Sequence, residues 1–421
     1  MPGVSGSRRP PVPDSKGGGW DGAAAVTACI AACVAAYGVY LGLPLILGAL
    51  ADTFRFDNRQ IGWIGSAENL GLLLGAAGVS LLARTRRFRR VALAGVALAV
   101  TCDALTLLVS SFPAFCGIRL IAGLGSGLCY SSAVASLSLT ERSARNFSVF
   151  IAVLVIANSL ELWLLPGIVT HWGVHGVYTA LGALYVAPAL LLWFIPARIE
   201  PQSGDSCQAN EPVVPQQPAF ARLAWSCLAA IVLFNIAASA FWAYSERIGT
   251  SIGLTETAVA NTLTICNLVS LTGSALAYWL SRHWGQHRPQ LGALAVMIAV
   301  YATWAFGLTP LRYVVGVLLF FEVWSMASVY QLSTLTGIDR AGLYVALVPA
   351  AQGIGQSAGP FIAGLLLGWR LTFPQILLVV TLFAIGCLAT YATVYVRLRR
   401  THPELADGIP TEAAAGSSPG R

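Results

Sequence analysis

Apolar stretches of about 18–28 residues, each long enough to cross a bilayer, follow one another along the chain with almost no charge inside them. Twelve can be traced, near residues 22–50, 60–83, 90–110, 113–136, 146–169, 174–195, 221–244, 257–280, 291–308, 313–335, 341–367 and 373–397. Short polar connectors separate them, and one Pro-rich polar stretch, residues 200–218, divides the set six and six. The pattern predicts an all-α membrane protein of twelve transmembrane helices, with little chain left for a soluble domain. The expected organisation is a disordered cytoplasmic tail (1–20), a six-helix bundle (21–197), a cytoplasmic linker (198–220), a second six-helix bundle (221–397) and another disordered tail (398–421).

Composition changes this picture little. Charged residues make up 10% of the chain, against about 25% in soluble proteins. The net charge of +7 would suit nucleic acid, but its distribution points elsewhere. With the N-terminus inside, the inner side carries 19 of the 25 Lys and Arg, the outer side five, and Arg119 lies within a helix. That asymmetry predicts both termini in the cytoplasm. The run Arg84, Arg86, Arg87, Arg89, Arg90 then reads as a topology anchor, and no nucleic-acid partner is expected. Arg outnumbers Lys 24 to 1, which fits a high-GC bacterium and hence its inner membrane. The first apolar run is too long for the h-region of a cleavable signal.

Nine cysteines are scattered, mostly inside apolar runs, with no CxxC pair. His171 with His175, and His283 with His287, sit four apart near loops without a third ligand nearby. No metal and no cofactor are therefore expected, and no Gly-Lys-Ser/Thr phosphate loop is present.

The chemistry left over lies inside the spans: Glu68, Asp103, Arg119, Glu161 and Glu322. Each costs about 2.5–3.5 kcal/mol at a helix centre on insertion scales, so they should face a cavity or one another. Counting about 1.5 Å per residue from the helix starts puts Glu68, Arg119 and Glu322 roughly 9–14 Å below the outer surface. A carboxylate near Arg119 can take up a proton during a working cycle, or form a static ion pair. Tyr37, Tyr40, Asn158, Asn235, Asn267, Gln352 and Gln356 are placed to hydrogen-bond a solute, and Trp242 and Trp324 to stack on a planar one. Each serves equally well as interhelical glue or an interface anchor.

The second half echoes the first. Asn69, Gly75, Leu82, Arg84 and Arg90 recur as Asn267, Gly273, Leu280, Arg282 and Arg288, a shift of 198. Arg119 and Gly123 recur as Arg312 and Gly316, and Pro166 as Pro360. Duplicated bundles facing each other place a solute site at mid-membrane between them. Arg119-Leu-Ile-Ala-Gly123-Leu-Gly125 carries the pattern R-x-x-x-G-x-G, and the arginine run at 84–90 follows the second span. In both features the chain resembles the major facilitator superfamily, over nearly its whole length. It departs from that family's pattern in lacking the aspartate and glycine before the loop arginines. Its fifth span, Asn158-Ser-Leu-Glu161-Leu-Trp-Leu-Leu-Pro166-Gly167, also departs from the G-x-x-x-G-P associated with drug/proton antiporters, keeping the Pro without the preceding glycines, whereas Gly355-Gln-Ser-Ala-Gly359-Pro360 has the pattern in the eleventh.

The resemblance implies two pseudo-symmetric six-helix bundles and alternating access. It puts Arg119 and Glu322 on the solute path, Glu68 and Glu161 between the halves, and Asp103 at the periphery. The expected function is secondary active transport of a small neutral or cationic organic solute, coupled to protons through Glu68, Glu161, Glu322 and Arg119, with import or export open. The alternative is proton symport of a small organic anion, such as an aromatic one, held by Arg119. A membrane sensor or membrane enzyme is the third. The partners implied are a small-molecule solute, protons and the lipid bilayer, with the chain as a monomer.

Overall fold

The computed structural model describes residues 22–82, 87–140, 142–195, 218–339 and 343–401. The expected N-terminal tail, nearly all of the central linker, the C-terminal tail beyond Thr401, and Arg84, Arg86 and Arg340 lie outside the described residues, whereas residues 398–401 of the expected tail continue the last helix. The first half comprises α1 (Ala23–Leu41), α2 (Leu43–Phe54), α3 (Asn58–Leu82), α4 (Phe88–Thr106), α5 (Phe112–Ser138), α6 (Ser143–Leu184) and α7 (Val186–Leu191). The second comprises α8 (Pro218–Ser251), α9 (Glu256–Val269), α10 (Leu271–Trp284), α11 (His287–Ala305), α12 (Pro310–Ile338), α13 (Val348–Gly368) and α14 (Phe373–Thr401). Seven helical runs among the described residues are long and apolar enough to cross a membrane as they stand, the run through α6 and α7 serving twice. With α3, α4, α11 and α13 they make twelve spans in two bundles of six.

Local sequence explains the breaks. α6 runs for 42 residues, too long for one span, and Gly173 divides it at φ 60° and ψ −161°. Glycine alone adopts that region without strain. The first span breaks at Gly42, between α1 and α2, because Pro44 follows at the start of α2. A proline has no N–H for the carbonyl four residues back, here that of Tyr40, which instead accepts the indole N–H of Trp242 on α8 at 3.0 Å. The same logic operates in reverse on the other half. Pro360 sits inside α13, and the carbonyl four residues back, Gln356, accepts the amide of Asn69 on α3 at 3.0 Å. Two proline-freed carbonyls, one per half, are thus each capped by a side chain of the opposite half.

Within the first half, α3, α4 and α5 pack backbone to backbone through Gly71, Gly75, Gly95, Gly123, Gly125 and Gly127. In the second, Gly355 and Gly359 let α13 lie against α8 in the same way. Aromatic rings fill the second half, with Phe241 within 4.7–4.8 Å of Phe320 and Trp304. Trp163, Trp172, Trp193, Trp225, Trp284 and Trp369 stay exposed on the perimeter, where an aromatic belt meets lipid headgroups.

The end of the bundle with the α2–α3 turn, opposite the start of α1, is clamped across the halves. Arg247 of α8 donates to the Gly48 carbonyl at 2.6 Å and to Asp52 Oδ1 at 2.8 Å, both on α2. The Tyr244 hydroxyl donates to the Asn58 carbonyl at 2.6 Å. Arg247→Ala is expected to loosen this distal clamp. A cysteine placed at Ala51 should then react with an impermeant maleimide several times faster than in the unsubstituted background.

Candidate functional site

A cavity of about 160 Å³ lies where the two bundles meet. Tyr40 from α1 and Asn158 from α6 line it from the first half; Trp242 from α8, Asn267 from α9, and Phe321 and Trp324 from α12 line it from the second. Its walls are aromatic, and no carboxylate, guanidinium or ammonium is among the residues that form them. Trp242 stands nearly perpendicular to Trp324 (86°, centroids 6.4 Å apart) and to Phe321 (77°, 5.7 Å), so the rings form a corner. Asn267 donates to the Val155 carbonyl at 3.0 Å and to Ser159 Oγ at 2.8 Å, tying α9 to α6 across the seam.

Five of the residues singled out as solute contacts (Tyr40, Asn158, Trp242, Asn267, Trp324) are gathered here; the others are not. Tyr37 stacks on Tyr130 at 4.8 Å. Asn235 donates to the Ile231 carbonyl and packs its Cβ against Gly355. Gln356 contributes its carbonyl to Asn69, and Gln352 is half-buried on α13 away from the cavity wall.

The charged groups divide differently from the expectation. Arg119 is buried inside the first bundle, where Nε lies 3.1 Å from Glu68 Oε2 and both terminal nitrogens donate to Asp103 Oδ1 at 2.8–2.9 Å. Its guanidinium carbon sits 4.7 Å above the Tyr178 ring. Arg119 therefore does not face the cavity, and Asp103, expected at the periphery, is one of its two carboxylate partners. The physical reason is charge: α4 and α3 each bring an acid to the one base of α5, and a buried carboxylate is tolerable only when paired. Glu322 also departs from the path. It turns from Phe321 and Trp324 towards α10, where Thr272 donates to it at 2.8 Å and Gly273 makes room.

Glu161 is the exception, because no cation among the described residues accompanies it. Its side chain rests against the α1–α2 break, where a Cβ at Gly42 would come within 2.5 Å of Oε1. That oxygen is buried and has no hydrogen-bond partner. Asn158, one turn earlier on α6, lines the cavity.

The sequence profile of the Major Facilitator Superfamily matches residues 28–336, well over half of the chain. The chain belongs to this superfamily. It is a multi-pass membrane transporter and not an enzyme. Solved structures share the fold at low identity. The nucleoside transporter NupG superposes with a TM-score of 0.67 at 13% identity, covering 88% of this chain and 99% of that one. A bacterial homologue of the human lysosomal transporter Spinster, inward-facing and unoccupied, gives 0.68 at 13% identity over 90% and 97%. A curated relative, the 3-(3-hydroxy-phenyl)propionate transporter of Escherichia coli (strain K12), is 35% identical over 91 residues. That match spans 22% of this chain and 23% of the relative's length.

Some features of this transporter escaped the sequence. Phe321, Ser270 and Ser325 line the cavity, but an isolated apolar or small residue in an apolar span carries no signal. Glu246 is buried on α8, with its Oε2 facing Gly48 and lying 3.5 Å from Arg247 Nε. The apolar pattern ends the seventh span near 244, whereas α8 continues to Ser251. Gly253, at φ 87°, marks the true end and was the available clue.

Proposed function

We propose that this transporter is proton-coupled and moves a small uncharged or cationic organic solute through the cavity between its halves by alternating access. The observation that carries the reading is an uncharged, aromatic-walled chamber built jointly by both bundles, with the cation-free carboxylate of Glu161 one helical turn from its wall. An ionisable group held in a membrane without a partner marks an ion or proton pathway. The inner excess of arginine supports cytoplasmic termini in a bacterial inner membrane. In this reading Glu68 and Arg119 brace the first bundle and Glu161 carries the proton. Glu161→Gln in proteoliposomes is expected to abolish accumulation driven by a pH gradient while solute counterflow continues. Accumulation that survives the substitution removes Glu161 from the coupling.

The second reading, symport of a small aromatic anion, draws on the local likeness to the Escherichia coli transporter. For Arg119 to hold the anion, Glu68 or Asp103 would have to release it. A counterflow panel of ring carboxylates and their uncharged analogues separates the two: preference for the carboxylates favours the anion.

A further inference from the structure

Several of the polar groups around the cavity are already engaged by the protein itself. The Trp242 indole N–H is held by the Tyr40 carbonyl, the Asn267 amide by Val155 and Ser159, and the Ser270 hydroxyl by the Asn267 carbonyl. Among those without a partner, two are fully buried. Asn158 Oδ1 and the Tyr40 hydroxyl are both buried without a hydrogen-bond partner, on residues 7% exposed that line the chamber. Buried polar groups are otherwise almost always satisfied, so a pair of orphans on residues that line one chamber suits a ligand's own polar edge. An asparagine amide offers an acceptor and a donor side by side, the arrangement that reads an adjacent donor and acceptor on a planar ring. The chamber's volume, about 160 Å³, matches that of an engineered cavity of about 150 Å³ that holds one benzene molecule. The perpendicular rings of Trp242, Phe321 and Trp324 let such a ring stack on one wall and meet another edge-on.

We infer that the solute recognised here is an uncharged single planar ring whose edge carries a hydrogen-bond donor beside an acceptor, as in a carboxamide, lactam or aminoheterocycle, with Asn158 and Tyr40 reading that edge. The inference rests on the cavity being the solute site. It is tested on the full chain in proteoliposomes with three probes of one ring: benzamide, N,N-dimethylbenzamide (acceptor without donor) and benzoate. Benzamide is expected to bind about tenfold more tightly than its dimethyl analogue, the difference one buried hydrogen bond and its unmade counterpart produce. Asn158→Leu should erase that preference, leaving benzamide and dimethylbenzamide bound equally, and Tyr40→Phe should reduce it. Asn158→Ala, which removes the amide acceptor without adding bulk, gives the same readout should the leucine variant fail to fold. Equal binding of benzamide and dimethylbenzamide overturns the edge recognition and leaves the cavity as the solute site. Binding of benzoate in preference to both also overturns it, and no binding of any ring probe overturns the cavity assignment with it.

Discussion

Arg119→Met is expected to yield little folded protein. The substitution leaves Glu68 and Asp103 facing each other, both nearly inaccessible to water, with their shared base removed. Breaking a buried ion pair from one side costs about 3–5 kcal/mol, a large share of a typical folding free energy of roughly 5–15 kcal/mol. Thermal stability in detergent, followed by size-exclusion recovery, should fall steeply. Adding Glu68→Gln and Asp103→Asn to the same chain removes the stranded charges and should restore much of the loss. A stable Arg119→Met protein that had lost solute binding alone would instead identify Arg119 as a solute contact.

Gly123→Ala should be nearly as damaging for a different reason. α5 approaches α3 so closely that a methyl group at 123 runs into the backbone carbonyl of Glu68, which has no rotamer with which to yield. Overpacking of this kind costs about 1–3 kcal/mol. Separating α5 from α3 also draws Glu68 away from Arg119, so the measured loss should reach the upper end of that range. Gly117, on the same helix, meets nothing within 4 Å. Gly117→Ala should leave stability unchanged or raise it by about 0.5–1 kcal/mol, the intrinsic helix preference for alanine. Equal losses at the two positions would mean that helix propensity, not the α3–α5 contact, sets the effect.

The amount legible in the sequence follows from what each residue encodes. Apolar length and arginine placement are properties of single segments, so twelve spans could be counted from them, and depth along a span comes from counting residues. Azimuth does not. Glu322 and Phe321 are neighbours at the same depth, yet a rotation of one residue turns the acid to Thr272 and the ring to the cavity. Asp103 and Arg119 are 16 residues apart on successive helices, and nothing in either helix's period says that the two side chains converge. Glycine spacing gave a better hint, since a row of small residues marks where backbones touch, though not which helix comes to meet them. Pro44 and Pro360 were readable in principle: each predicts an unserved carbonyl at a known position, Tyr40 and Gln356. The sequence could not name Trp242 and Asn69 as the donors that reach them.

Tyr40 belongs to both the chamber and the seam, but through different atoms. Its phenol faces the cavity, whereas its main-chain oxygen anchors Trp242 of the opposite bundle. Any amino acid placed at 40 retains that oxygen, and Pro44 keeps it available. In the proposed reading, selectivity can therefore be retuned at this position without unfastening the two bundles, so an altered cargo need not entail a broken cycle.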